Sequence, residues 1–422
     1  MTGSELLQAV DDLESYLTSY DHLLGRAENR EHFRRFARGQ LGPLERKSLE
    51  PMADAEGIEP RTLQFFFSKN EWDDVGVRDE LQRKIATEHG GLYGTFVIDE
   101  TSDAKKGEWT AGVGRQYCGE SGKIDNCIVT VHLGYTCGEF LGLLDGMLYL
   151  PESWSRNPDD PVVTEKRRRA GIPDDVDFKT KADIALELLQ VARRNHVPGR
   201  FVTGDEWYGS KPWWRKAVAD LDLIYVVEVP RTVRGTMTSS LAGAMEATRS
   251  VEALANAAEG LRCRPAVRYE VHQTDKGPEV WEFKAGPFWE GKEPSGPQWL
   301  IAARNVRTDE RKYFLSNAAA GTPLEVLITV AYSRWTVERC FQDCKTELGL
   351  NHAEVRKYQA IHRHLILTAV NYLFLSNWIT RMRAKKNDRP QADGQPVRGR
   401  DTDPTESKNR RAANQAPAEI SR

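Results

Sequence analysis

Two short apolar runs, each stopping at an aspartate, constrain this chain more than any other feature. In GTFVIDET the run Thr95 to Ile98 ends at Asp99, and in RFVTGDEWYG the pair Phe201 and Val202 is followed by Asp205. Consecutive apolar residues, without polar alternation, read as strands buried on both faces, as in the sheet of an α/β fold. A carboxylate just past such a strand points into the crevice at the carboxyl edge of the sheet, where open α/β sheets place their sites. Taken singly, each aspartate would serve equally as a helix cap or turn residue.

A third carboxylate lies far downstream, in YSRWTVERCFQDCKTELGL from Tyr332 to Leu350. At about 100° per residue, Arg334 lies about 40° and Lys345 about 20° from the Glu338 direction, so the three share one stripe of a helix. A carboxylate between two cations suits a site that holds a metal ion and a phosphodiester together: the carboxylate binds a hard cation and the cations meet phosphate oxygens. A solvated helix face with i,i+4 pairs is the alternative reading of the same spacing.

These residues and several segments between them resemble one family, the DDE transposases of bacterial insertion sequences. The similarity is to the branch whose last motif is Y, two residues, R, three residues, E, six residues, K. Arg334, Glu338 and Lys345 keep the last two spacings, whereas a single residue, Ser333, separates Tyr332 from Arg334. GPLERKSLEPMADAEGI, VIDET with the following KKG, GVGRQYCGESGKIDNCIV, LYLPESW, AGIPDDVDFKTK, VTGDEWYG and ELGLNHAEVR also carry the resemblance, from about residue 33 to 375. It implies that Asp99, Asp205 and Glu338 are the catalytic and metal-binding triad of an RNase H-like core. Two Mg²⁺ or Mn²⁺ ions would clamp the scissile phosphate, bridged by Asp99, with Asp205 and Glu338 each completing one. Arg334 and Lys345, and after the first strand Lys105 and Lys106, would contact DNA phosphates.

Along the chain, residues 1–88 read as a separate helical region. Leu44 to Glu56, Gly57, and a second short helix opened by Pro60 give the outline of a helix-turn-helix, with Arg61, Gln64 and Lys69 as DNA-recognition candidates. Arg34, Arg35, Arg38, Arg46 and Lys47 add charge nearby. An ordinary helical subdomain with solvated basic residues fits as well.

Residues 89–229 read as the first part of the core. The expected strands are Thr95–Ile98, Gly112–Cys118, Ile128–Tyr135, Phe201–Thr203 and Ile224–Val229, with a helix at Lys181–Asn195. Residues 230–316 read as a β-rich insertion, with strands at Ala266–His272, Val280–Phe288, Gln298–Val306 and Lys312–Leu315. The resemblance implies that this insertion helps grip the transposon end. Residues 317–383 would hold the catalytic helix, opened by a capping box at Thr322 and Glu325 and ended by Gly349, then a closing helix at His364–Ile379. From 384 to 422 the composition of Pro, Gly, Asn and charge predicts a disordered tail.

The formal charge of −3 does not advertise nucleic acid, so a DNA partner must be met by local basic patches. Six cysteines form no C-x-x-C pair. Cys340 and Cys344 share a helical face, but buried free thiols are the simpler reading, and no His/Cys cluster argues for zinc. Nothing resembles a signal peptide or a membrane span, so a cytoplasmic, nucleoid-associated protein is expected. Trp207, Trp213, Trp214 and Trp335 are candidates for base stacking or for the core. Tyr208 would pack or orient its loop, and His352 would be a hydrogen-bonded structural histidine.

The expected activity is cut-and-paste transposition on double-stranded DNA, at element ends and target, with a homodimer in the DNA complex. A domesticated DNA-binding regulator with silent chemistry, and a metal nuclease that does not join strands, are the alternatives.

Overall fold

Burial on both faces of Phe96, Val97 and Ile98 makes their strand the centre of a mixed sheet. The computed structural model describes residues 3–237, 248–274, 277–291 and 296–387. Met1–Ile379 forms one compact unit, and Thr380–Arg422 a second, which contains the described end of the helix Tyr358–Asn387. Residues 388–422, most of the expected disordered tail, lie outside the described residues.

The sheet begins with β1 (Thr95–Ala104), β2 (Gly114–Cys118), β3 (Lys123–Cys137) and β4 (Phe140–Tyr149). Helix Lys181–Arg194, β5 (Phe201–Thr203), helix Pro212–Asp220 and β6 (Ile224–Glu228) follow. In space the order is β4, β3, β1, β5, β6, antiparallel between the first three and parallel from β1 to β6. The two helices are the crossovers that parallel neighbours require. One expectation is corrected here: β2 is only a short hairpin on the start of β3, and the third long strand of the meander is β4. Gly142, Asp145 and Gly146 interrupt the apolar pattern of β4, which is why it does not read as a strand in the sequence.

The β-rich stretch continues this sheet. β7 (Arg234–Thr236), β8 (Arg249–Ser250), β9 (Val267–Thr274), β10 (Gly277–Glu290), β11 (Gln298–Asn305) and β12 (Arg311–Ser316) follow β6. β12 then returns to pair antiparallel with β6, Phe314 opposite Glu228. The late helices are Leu324–Tyr332 and Arg334–Leu348. The expected capping box at Thr322 is absent: Pro323, extended at ψ 137°, is the N-cap and no side chain caps the helix. A reciprocal capping box forms instead at Thr180 and Asp183. Gly349, at φ +66°, ends the second helix with the left-handed turn that glycine adopts at little cost.

Helices Gly3–Thr18, Ala27–Leu41, Leu49–Ala55, Pro60–Ser68 and Asp74–His89 precede the sheet. Their Phe33, Phe36, Leu63, Phe66 and Phe67 belong to the same buried cluster as Ile98, Val337 and Leu367. Polar ties bind the layers: Gln40 donates to the carbonyl of Leu348 and to Thr368, and Lys47 donates to the carbonyls of Gln40, Gly42 and Glu347.

Candidate active site

β1 pairs with β5 only from Thr95 to Val97, so a crevice opens at the carboxyl end of β5, beside the part of β1 that runs on. Asp99 and Asp205 stand on its two sides, and helix Arg334–Leu348 crosses it with Glu338. All three carboxylates line one cleft of about 550 Å³, together with Glu100, Lys181 and Lys345. Asp99 lies within β1, which runs on to Ala104 instead of ending at Ile98 as expected because its later residues still pair with β3; it, Asp205 and the late-helix glutamate, over 230 residues apart in sequence at the extremes, are brought together.

Asp205 fills both roles that its sequence allowed. Its carboxylate caps the short helix Glu206–Gly209, accepting from the backbone N–H groups of Trp207 at 3.0 Å and Tyr208 at 3.3 Å, while it also lines the cleft. The turn is pressed onto β6, where a Cβ on Gly209 would lie 1.8 Å from the carbonyl oxygen of Glu228. Only glycine permits that approach.

Arg334 stands between the other two carboxylates, 3.4 Å from Asp99 and 2.6 Å from Glu338. Burial works against its charge, but Asp99 and Glu338 outweigh it and hold the guanidinium ionised. Burial pushes the Asp99 carboxyl up to about 7; Arg334 pulls the other way, and Asp205 and Glu338 add to the rise. Among the described residues no three Asp, Glu, His or Cys side chains converge on a single metal-sized point. The donor chemistry nevertheless fits a hard divalent cation: three carboxylates face one cleft, and two of them, Asp99 and Glu338, already have a cation drawn against them.

The remaining expected residues sort by surroundings. Lys345 lines the cleft. Lys105 turns inward, pairing with Asp103 and donating to the carbonyl of Ala353 at 2.6 Å, whereas Lys106 is exposed. Tyr332 faces away, its ring against Trp281, Phe283 and Phe314 of the β-rich stretch. Cys340 and Cys344 are buried free thiols. Trp214 is core, while Trp207, Trp213 and Trp335 are exposed. His352 accepts at Nδ1 from the Lys47 N–H at 3.0 Å. Arg61, Gln64 and Lys69 are exposed on or just after helix Pro60–Ser68. The basic residues near them are spoken for: Arg34 binds Glu14 and Asp21, Arg38 binds Glu31 and Glu56, and Arg46 binds Glu354. Two cleft residues escaped the sequence reading. Glu100 and Lys181 pair with each other there, and the cation 81 positions from its acid left no local signal.

The raised Asp99 pKa has a measurable consequence. An unfolded aspartate ionises near 3.9, so between about pH 4 and pH 7 the folded protein holds the extra proton. The stability this group contributes then falls as pH rises through that window and is flat above it. In metal-free buffer, Asp99→Asn should gain melting temperature relative to wild type by a few degrees between about pH 4 and 7. A difference independent of pH would show that Asp99 is not desolvated.

The chain belongs to the DDE superfamily of endonucleases, whose family model matches residues 19–239, more than half of the chain. A second model, the transposase DDE domain, matches residues 179–374, a span that takes in Asp205 and Glu338. A curated protein of Microchaete diplosiphon, "Probable transposase for insertion sequence element IS701", is 28% identical over 219 residues, 51% of this chain and 53% of that protein. The chain thus spans about half the length of the curated relative it matches. The resemblance to insertion-sequence transposases seen in the motifs is borne out.

Proposed function

We propose that this protein is an insertion-sequence transposase that binds inverted repeats at the element's ends, cleaves them and transfers the 3′ ends into target DNA. The observation that carries this reading is the meeting of Asp99, Asp205 and Glu338 in one cleft with Arg334, Lys345 and Lys181. The order β4, β3, β1, β5, β6, with its two helical crossovers, supports assigning an RNase H-like core.

Asp99 would hold both divalent ions, Mg²⁺ or Mn²⁺, and Asp205 and Glu338 one each. When bound, the ions would activate a water or 3′-hydroxyl and stabilise the departing oxygen. Arg334 compensates the charge of Asp99 and Glu338. With cations held by those carboxylates, its planar donors would suit a phosphate beside them. Lys345 supplies a second positive charge on the same helix face. Double-stranded DNA is the proposed partner, with a second copy of the chain in the DNA complex. Among the described residues no helix is long and apolar enough to cross a membrane.

The test is an in vitro reaction with DNA carrying the inverted repeats that flank the reading frame. Wild-type protein with Mg²⁺ should cleave at the repeat ends and join them to a target plasmid. Cleavage without joining would reduce the reading to a nuclease, and binding without either would leave a regulator.

Recognition is assigned to the exposed face of helix Pro60–Ser68. Leu63, Phe66 and Phe67 anchor that helix in the core, so point changes are the proper probe rather than deletion of residues 1–88. Arg61→Ala or Gln64→Ala should lower discrimination between repeat and random DNA by roughly 1–3 kcal/mol if either side chain reads a base edge. Competition binding at fixed salt measures this. Unchanged discrimination in both variants would move recognition elsewhere.

A further inference from the structure

Asp99 lies on β1 and Asp205 in the turn that follows β5, and the backbone ladder between β1 and β5 stops at Val97, short of both. A chain of hydrogen bonds closes that gap. The Glu100 N–H, next to Asp99, donates to the Asp99 carboxylate at 2.8 Å. The Glu100 side chain accepts at Oε1 from the Tyr208 hydroxyl at 3.0 Å, and its Oε2 is paired with Lys181. Tyr208, 1% exposed, donates its own N–H to Asp205 at 3.3 Å. Both Glu100 oxygens are therefore engaged, which makes this carboxylate a tie and not a further ligand. Paired with Lys181 on one oxygen, it presents the other to the buried Tyr208 hydroxyl.

We propose that Glu100 and Tyr208 are positioning residues: their bond ties the Asp99 strand to the Asp205 turn and sets the spacing at which the two aspartates share divalent cations, while Lys181 holds Glu100 in place. The inference rests on the metal-site reading of the two aspartates. Partners of ligating groups govern metal affinity without touching the metal, and losing one typically costs 10–100-fold.

The full chain, free of DNA, would be titrated with Mn²⁺ alone, with free Mn²⁺ followed by its electron paramagnetic resonance signal. Tyr208→Phe keeps the buried ring and removes only the hydroxyl. Its Mn²⁺ affinity should fall about tenfold or more. Glu100→Ala should fall by a similar factor, and the double variant little further, because both changes cut one link. Glu100→Gln retains an acceptor for Tyr208 and should recover part of the loss. Each variant's melting curve and near-ultraviolet circular dichroism accompany the titration. If Tyr208→Phe does not fold, the Glu100 pair decides the matter, since Glu100 is only half-buried.

Wild-type affinity in Tyr208→Phe or in Glu100→Ala overturns the tie and leaves the metal site standing. Losses that add in the double variant also overturn it, because the residues would then act separately. A wild-type protein that binds no Mn²⁺, or binds it equally well after Asp99→Asn, overturns the metal reading and this inference with it.

Discussion

Asp99→Asn, Asp205→Asn and Glu338→Gln should each reduce cleavage of repeat-bearing DNA by about a thousandfold or more, about 4 kcal/mol of barrier, while end binding stays within a few-fold. The expectation follows from where the three groups stand. Each lines the same cleft, and each substitution keeps size and hydrogen-bonding capacity but removes the charge that a divalent cation needs. The losses should not sum in the triple variant, because residues that act as one unit fail together. Asp99→Asn should be the most damaging, since its side chain is the most buried of the Arg334-bound pair, 17% exposed against 45% for Glu338. Single-turnover cleavage and gel-shift binding with the same DNA separate the two effects. Near wild-type cleavage in any one variant removes that residue from the site.

The candidate site was legible to the degree that its signals are local. An apolar run that ends in a carboxylate, or a cation four residues from a glutamate, can be read within a few positions of sequence. Asp99, Asp205, Arg334, Glu338 and Lys345 all carry such signals; four of them line one cleft, and Arg334 pairs with two of those four. Glu100, Lys181 and Tyr208 carry none, because their meaning lies in contacts across 81 and 108 positions. Charge proved the least transferable signal. Arg34, Arg38 and Arg46 look like a basic patch when counted along the chain, yet each is matched by acids that folding brings alongside. Lys105 and Lys106 are neighbours with the same chemistry, and only the fold distinguishes the inward from the outward one.

In the fold, apolar runs located strands more surely than their ends: Val280–Phe288 lies within β10, Gln298–Val306 overruns β11 by one residue, and β1 continues past Ile98 to Ala104 because its later residues pair with β3. The failure at β4 has a particular cause. Its Asp145 is a buried acid 3.8 Å from Arg78, and burial pushes its carboxyl up to about 7. A polar residue flanked by glycine in a strand is tolerated only because helix Asp74–His89 supplies its partner, which a strand pattern cannot anticipate.

Besides the shared core and the Gln40 and Lys47 bonds, a buried arginine ties the N-terminal helices to the rest of the chain. Arg363, on helix Tyr358–Asn387, has a side chain only 2% exposed and pairs with Asp74 at 2.9 Å. It also donates to the carbonyls of Phe66, Phe67 and Asn70, at 3.3, 3.2 and 2.8 Å, and to that of Trp72 at 3.4 Å. Those carbonyls close the C-terminal end of helix Pro60–Ser68 and the turn after it, so the guanidinium satisfies groups that a helix end leaves orphaned. Its plane lies over the Trp72 ring, 4.3 Å from the centroid. Arg363→Met preserves the apolar stem but strands Asp74 and the carbonyls, and should destabilise the protein by about 3–5 kcal/mol. Arg363→Lys should recover little, because an ammonium cannot reproduce the planar fork that reaches four carbonyls and a carboxylate. Adding Asp74→Asn to Arg363→Met should restore part of the loss, since much of the penalty is the abandoned charge. Urea unfolding of the three variants measures it. An Arg363→Met variant within 1 kcal/mol of wild type would mean that water replaces the guanidinium at this joint, and that the shared core of Phe33, Phe36, Phe66 and Phe67, with the Gln40 and Lys47 bonds, holds the helices in place.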